Sequence, residues 1–176
     1  MPTIPQDDAF VLNEVKNACK NIFKCMQCGV CSGSCPSGRH TSLNIRKLVR
    51  KAAKTADVLH DEQLWMCTTC YNCQERCPRN IDIVDAVLMI RKVAVHEGIM
   101  HSEHRKVSEL LLEHGHAVPI DKDNREKRIK LGLNELPETV HKYAEELEEV
   151  KILLTSCGFD RLLNRAGKKD AGSEEI

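Results

Sequence analysis

Residues 25–36 read CMQCGVCSGSCP and residues 67–78 read CTTCYNCQERCP. Each is C-x2-C-x2-C-x3-C-P. Every cysteine of the second run, Cys67, Cys70, Cys73 and Cys77, lies 42 positions after its counterpart in the first, Cys25, Cys28, Cys31 and Cys35. The loop is an internal duplication. Three cysteines spaced by two residues wrap a tight turn whose thiolates converge on one cubic cluster, and the fourth sits beyond easy reach of that cube. In two-cluster proteins with this run, the fourth cysteine ligates the other cluster. Cluster one then takes Cys25, Cys28, Cys31 and Cys77; cluster two takes Cys67, Cys70, Cys73 and Cys35. The exchange ties the loops together, so assembly of two [4Fe–4S] clusters also closes the fold. Pro36 and Pro78 fix the chain direction after each fourth ligand and disfavour helix in the residue before it.

Ten cysteines among 176 residues invite other chemistries. Disulfides are uncommon in a reducing cytosol. Structural zinc usually takes its ligands as two separated pairs, whereas each loop here has a third cysteine at the same short spacing. A zinc-stabilised binding module is the rival from a different class. Gly29 and Gly33 lie inside the first loop, where glycine lets backbone N–H groups approach sulfur. The second loop has Tyr71 and Asn72 in the matching region, so its cluster is expected to be shielded or hydrogen-bonded differently. Lys24, Arg39, Arg76 and Arg79 flank the loops; they either offset the clusters' negative charge or are solvated surface charges.

Working outward, residues 8–23 carry Val11, Val15, Ala18 and Ile22 at a helical period, with Asp7 or Asp8 as cap. Thr41 or Ser42 reads as the next N-cap, with Leu43, Leu48, Val49, Ala52 and Ala53 near one face. The 31 residues between Cys35 and Cys67 show no sustained alternation and no hairpin signal, which argues against a small β-rich ferredoxin. Asp82 is placed to cap a helix to about residue 97, with Ile83, Val87, Ile90 and Ala94 inward. A helix is expected near 102–114, a loop over 115–136, and an amphipathic helix from Glu138 to Leu154 carrying Val140, Ala144, Leu147, Val150 and Leu154. The fold class is mainly α: an α-helical ferredoxin-like domain with two cysteine-rich cluster loops. Residues 1–114 form that domain, 115–167 a helical extension that packs on it or docks a partner, and 168–176 a disordered tail.

Lysine plus arginine equals aspartate plus glutamate, 26 against 26, so no basic footprint points to nucleic acid. No apolar run is long enough to span a membrane, and the start MPTIPQDD is not a secretory signal. The expected location is the cytoplasm. Aromatics are only 3 %, so the core is aliphatic and thin, and a thin core relies on a metal centre or partner. No G-x-G-x-x-G and no P-loop occurs. The motif thiolates are consumed by the clusters, so no catalytic residue is assigned. Cys19 and Cys157 read as small hydrophobes; His96, His101, His104, His114 and His116 as surface histidines; Trp65 and Met66 as shielding before the second loop.

CMQCGVCSGSCP and WMCTTCYNCQERCP, joined by a helical segment in a short α-helical chain, resemble the C-subunit family of heterodisulfide reductases from methanogenic archaea. The resemblance runs from about 8 to 155 and carries over the eight motif cysteines. Similar helical ferredoxin domains occur in succinate dehydrogenase and fumarate reductase iron–sulfur subunits and in glycolate, lactate and glycerol-3-phosphate oxidoreductases, usually beside a further domain. The resemblance implies a non-catalytic electron-transfer subunit of an oxidoreductase complex. It would pass electrons from the heterodisulfide reductase A subunit, which holds FAD and clusters, to the B subunit, which reduces the mixed disulfide of coenzyme M and coenzyme B. An associated hydrogenase or formate dehydrogenase is a further implied partner.

Overall fold

The computed structural model describes residues 8–19 and 21–170, with backbone alone for Asp8, Val11 and residues 166–170. Among the described residues there are helices and turns and no strand, in keeping with the helical class. The residues gather into two compact units, 1–99 and 100–176.

The first unit opens with α1 (Asp8–Ala18), which packs on α5 (Ile83–His96). Val15, Cys19 and Ile22 are buried, and Ala18 is half-buried. The expected continuous helix to residue 23 instead stops at Ala18, and a 3-10 turn over Ile22–Lys24 delivers the chain to the first cysteine loop. Asp7 lies outside the described residues, and Asp8 stands inside the helix. The first loop contains a single helical turn, α2 (Val30–Gly33), and α3 (Ile45–Ala52) follows. Ile45, Leu48, Val49 and Ala52 are all buried, the i, i+3, i+4, i+7 stripe of a helix seated on a core.

The cap of α3 corrects the sequence expectation. Asn44, not Thr41 or Ser42, is the N-cap: its side-chain oxygen accepts from Lys47 N at 3.1 Å. Thr41 is occupied elsewhere, donating to Ser37 O at 3.0 Å and accepting from Leu43 N at 3.3 Å. Two 3-10 turns, Ala56–His60 and Glu62–Met66, lead on to the second loop. Asp61 caps the latter through Gln63 N at 3.1 Å and pairs with Lys51 at 3.0 Å. The second loop holds α4 (Asn72–Glu75).

Central to this unit is α5, which buries Ile83, Val84, Ala86, Val87, Ile90, Val93 and Ala94, more of its circumference than one stripe. Asp82 occupies its N-cap position, but the side chain makes no capping bond. Gln74 of α4 supplies it instead, accepting from Val84 N at 3.0 Å. Among the described residues no phenylalanine, tyrosine or tryptophan is fully buried, so the cohesion of the core rests on aliphatic packing. Truncating one such residue, Ile90→Ala for example, costs about 2–5 kcal/mol.

In the second unit α6 (Ser102–His114) ends at Gly115 with φ 64°. A Cβ there would collide with Val140 Cγ1, so space as well as conformation demands glycine. Residues 115–136 do not form only a loop: α7 (Lys122–Lys130) lies within them. It has no apolar stripe. Asp121 caps it through Asn124 N at 2.8 Å, and Asp123 pairs with Lys127 one turn on. The expected helix from Glu138 begins later, as α8 (Ala144–Ser156) after a 3-10 turn over Val140–Lys142. A further helix, α9 (Phe159–Asp170), takes in the start of the expected tail, and 171–176 lie outside the described residues. α6, α8 and α9 pack together. No helix among the described residues is long and apolar enough to cross a membrane.

Candidate metal centre

The two cysteine loops share a backbone as well as a sequence. Gln27 and Gly29 have φ 59° and 84°; their counterparts 42 positions on, Thr69 and Tyr71, have φ 51° and 63°. Each loop thus makes two left-handed steps, one on either side of its second cysteine, and a helical turn starts immediately after the second step. In the first loop the steps bring its first three cysteines to the wall of one pocket. Glycine makes the second step freely; Tyr71 makes it at a cost of about 1–2 kcal/mol. Gly33, expected to approach sulfur, lies in open space. The glycine that does so is Gly38. Its N–H donates to Cys35 Sγ at 3.3 Å, and an added Cβ would stand 2.6 Å from Leu43 O.

Cys25, Cys28 and Cys31 line a small pocket partly open to solvent, and the fourth cysteine in its wall is Cys77 from the other loop. Val49, Ile81 and Ile83 close the inner side, while Arg46 and Arg79 reach the rim. Cys35 is not in this wall. It is buried, and a negative charge on it bears on the Cys73 thiol, as do charges on Cys67, Cys70 and Cys31. Cys31 and Cys73, the third cysteines of each loop, are where the two groups adjoin. Gln27 Nε2 donates to Cys25 Sγ at 3.2 Å. Cys28 and Cys70 are exposed, so each group has an edge at the surface.

Burial, and then neighbouring thiolate charge, pushes the Cys73 thiol up to about 12. Burial also raises Cys31, against the pull of hydrogen bonds from Ser32. Thiols this reluctant to ionise need a strongly positive partner to hold them as thiolates, and iron supplies one. Soft sulfur donors drawn from both loops fit iron–sulfur clusters in their chemistry.

Polar side chains lock the loops together. Ser37 Oγ donates to Met66 O at 2.6 Å. Ser32 donates to Asn44 Oδ1 at 3.0 Å and accepts from Arg46 N at 2.9 Å, while Asn44 N donates to Gln63 Oε1 at 2.8 Å. Asn21 reaches Asn80 O at 3.4 Å, joining the start of the first loop to the end of the second. Arg91 of α5 is half-buried and donates to Leu64 O at 3.0 and 2.8 Å and to Cys67 O at 2.6 Å, with its guanidinium 5.8 Å from the Trp65 ring centre. Arg91, Gln27, Gln74 and Gly38 have no signature in the sequence, because each acts on a partner through folded geometry.

The remaining residues singled out from the sequence are placed as follows. Lys24, Arg39, Arg76 and Arg79 are exposed. Cys19 is fully buried in the core and its thiol is raised by that burial; Cys157 is exposed and donates to Leu154 O at 3.1 Å. His101 caps α6 through Glu103 N, and His116 bonds the Val118 backbone. Trp65 and Met66 pack against the core beside the second loop.

Residues 21–81 match the 4Fe-4S dicluster domain family. The chain is similar to the C subunit of the ferredoxin:CoB-CoM heterodisulfide reductase of Methanosarcina mazei, 58 % identical over 153 residues that cover 86 % of this chain and 95 % of that one. It is 49 % identical to the iron-sulfur C subunit of the CoB–CoM heterodisulfide reductase of Methanopyrus kandleri, over 81 % of this chain and 76 % of the relative. It is 47 % identical to the C subunit of the H(2):CoB-CoM heterodisulfide,ferredoxin reductase of Methanothermobacter thermautotrophicus, over 79 % of this chain and 76 % of the relative.

Proposed function

The chain belongs to the C-subunit family of CoB–CoM heterodisulfide reductases, and on that premise we propose that it carries electrons between the redox centres of its partner subunits. It is an iron–sulfur subunit of an oxidoreductase complex and holds two [4Fe–4S] clusters. Cys25, Cys28, Cys31 and Cys77 hold the first; Cys67, Cys70, Cys73 and Cys35 hold the second. It works in the cytoplasm and accepts electrons from the heterodisulfide reductase A subunit, which bears FAD and clusters of its own. It delivers them to the catalytic B subunit, which reduces the coenzyme M–coenzyme B heterodisulfide. A hydrogenase or formate dehydrogenase feeds the complex.

The observation that carries this reading is the position of Cys77, which stands in the cavity wall of the first three cysteines. The charge of Cys35 on Cys73 supports the reciprocal half of the exchange. When bound, each cluster takes up or releases one electron with no bond made or broken in the protein. The chain's own residues set the conditions. Val49, Ile81 and Ile83 keep water from the inner side of the first site. N–H donors from Gln27 and Gly38 stabilise negative charge on sulfur, one of the protein's levers on potential. Adjoining sites favour electron passage, because tunnelling falls steeply with distance.

Anaerobic purification with iron and sulfide analysis tests the cofactor: about eight irons per chain are expected, and a colourless zinc protein would refute it. Assay of the co-purified complex with the coenzyme M–coenzyme B disulfide tests the assignment within the class. Failure to reduce that disulfide, with both clusters present, would instead point to another anaerobic oxidoreductase of the succinate/fumarate, glycolate/lactate or glycerol-3-phosphate type.

A further inference from the structure

Among the positions at which the two halves exchange a charged for an apolar residue, one places its charge behind the second loop. The 42-residue offset that relates the cysteines also relates α3 to the middle of α5, so Arg91 corresponds to Val49. Val49 is a buried aliphatic side chain that helps line the first cavity. Its counterpart is a guanidinium that donates to the carbonyls of Leu64 and Cys67. Those carbonyls belong to the turn that carries Trp65 and Met66 into the second loop and to the first cysteine of that loop. The first loop has its own arginine, Arg46, but that side chain lines the cavity, and its counterpart in the second half is the exposed Leu88.

Two consequences follow from where Arg91 sits. A planar fork bridging two carbonyls fixes the spacing between them, which a single-point cation cannot do. In addition, the charge is half-buried and close enough to Cys67 for a thiolate there to act on it. A charge in such a place is screened less than an exposed one, and Lys24, Arg39, Arg76 and Arg79 are all exposed. Reduction makes a thiolate-bound cluster more negative, so a fixed positive charge beside it favours the reduced form.

We propose that Arg91 is the positioning residue of the second centre: it fixes the backbone of Leu64 and Cys67 and, through its charge, raises the reduction potential of the cluster held by Cys67, Cys70, Cys73 and Cys35. This rests on the cluster assignment above, and it adds a lever that the first centre lacks at the equivalent position.

The experiment is a potentiometric titration, followed by electron paramagnetic resonance, of the anaerobically prepared full chain as wild type, R91Q and R91K. The second centre is identified as the signal altered by Cys70→Ser. R91Q is expected to hold both clusters and to lower the potential of the second centre while leaving the first in place. R91K keeps the charge and is expected to stay nearer the wild-type potential, while losing second-centre iron to a chelator faster because the fork is gone. Equal potentials in wild type and R91Q, or equal shifts in R91Q and R91K, would overturn the proposal. Chelator kinetics in R91K equal to those of the wild type would overturn the bracket. A wild-type chain with no iron would refute the cluster reading instead, so the two failures are distinguishable.

Discussion

The first cysteine loop and the second follow one backbone path and surround it with different chemistry. Both step left-handed on either side of the second cysteine, at Gln27 and Gly29 and again at Thr69 and Tyr71. Yet Gln27 donates to a sulfur, and Thr69 spends its hydroxyl on the carbonyl of Thr68. The first loop has glycine at the second step and an aliphatic wall behind; the second has tyrosine there and Arg91 behind. The ligand geometry of such a motif is therefore separable from its tuning. Spacing and left-handed steps supply the first, and single residues outside the motif supply the second.

Removing a shared ligand tests the comparison most severely. Cys77→Ser is expected to damage the cluster held by Cys25, Cys28 and Cys31, taking iron from about eight towards about four per chain. Spectra showing selective loss of the second-loop cluster would mean that the loops are independent. Acidity comes next. Without iron the Cys73 thiol stands at about 12, so it is protonated throughout the neutral range and iron must displace that proton. Binding therefore strengthens as pH rises towards about 12 and weakens as pH falls, by up to about tenfold per unit for each proton displaced. Because the strongly raised thiol, Cys73, belongs to the second centre, chelator extraction at pH 6 against pH 8 should strip the second centre first. First-centre loss would reverse the predicted ranking.

Gly38→Ala sets a Cβ against Leu43 O and should cost about 1–3 kcal/mol, the usual range for overpacking. Thermal unfolding of the loaded chain would register it, with second-centre iron lost more readily, since Gly38 bonds Cys35. The smallest effects concern the second left-handed step. Gly29→Ala should lose about 1 kcal/mol, although the space there is ordinary, with Arg46 Cδ 3.8 Å from the new Cβ. Tyr71→Gly should gain less than that, because glycine also gives the unfolded chain more freedom. Equal losses in the two loops would mean that Tyr71 is held by contacts that outweigh its strain.

Much of the first unit was legible because its signals are local. Cysteine spacing announces the loops, and the stripes in α3 and α5 repeat within a turn or two. Legibility failed where stability comes from elsewhere. α7 has a charged sequence with no buried residue, so periodicity passes over it; its marks are the Asp121 cap and the i,i+4 pairs Lys122–Glu126 and Asp123–Lys127. Asn44 outcompetes Thr41 as a cap because Ser32 and Gln63 bond to it from other segments. Gly38 and Arg91 matter through partners that meet them only in the folded chain. Beyond residue 114, the late start of α8 is hard to read from periodicity because that helix buries none of its residues.

The repeated left-handed pair also bears on ancestry. On the exchanged assignment, a half-chain with one loop supplies three ligands to one cluster and one to another that it cannot complete alone. Two copies of such a half, set face to face, would complete both. A chain with two matching loops 42 residues apart thus has the form of a homodimer whose subunits became covalently joined. A joined chain lets its halves differ, and the pairing of Val49 with Arg91 is a difference that two identical halves could not carry.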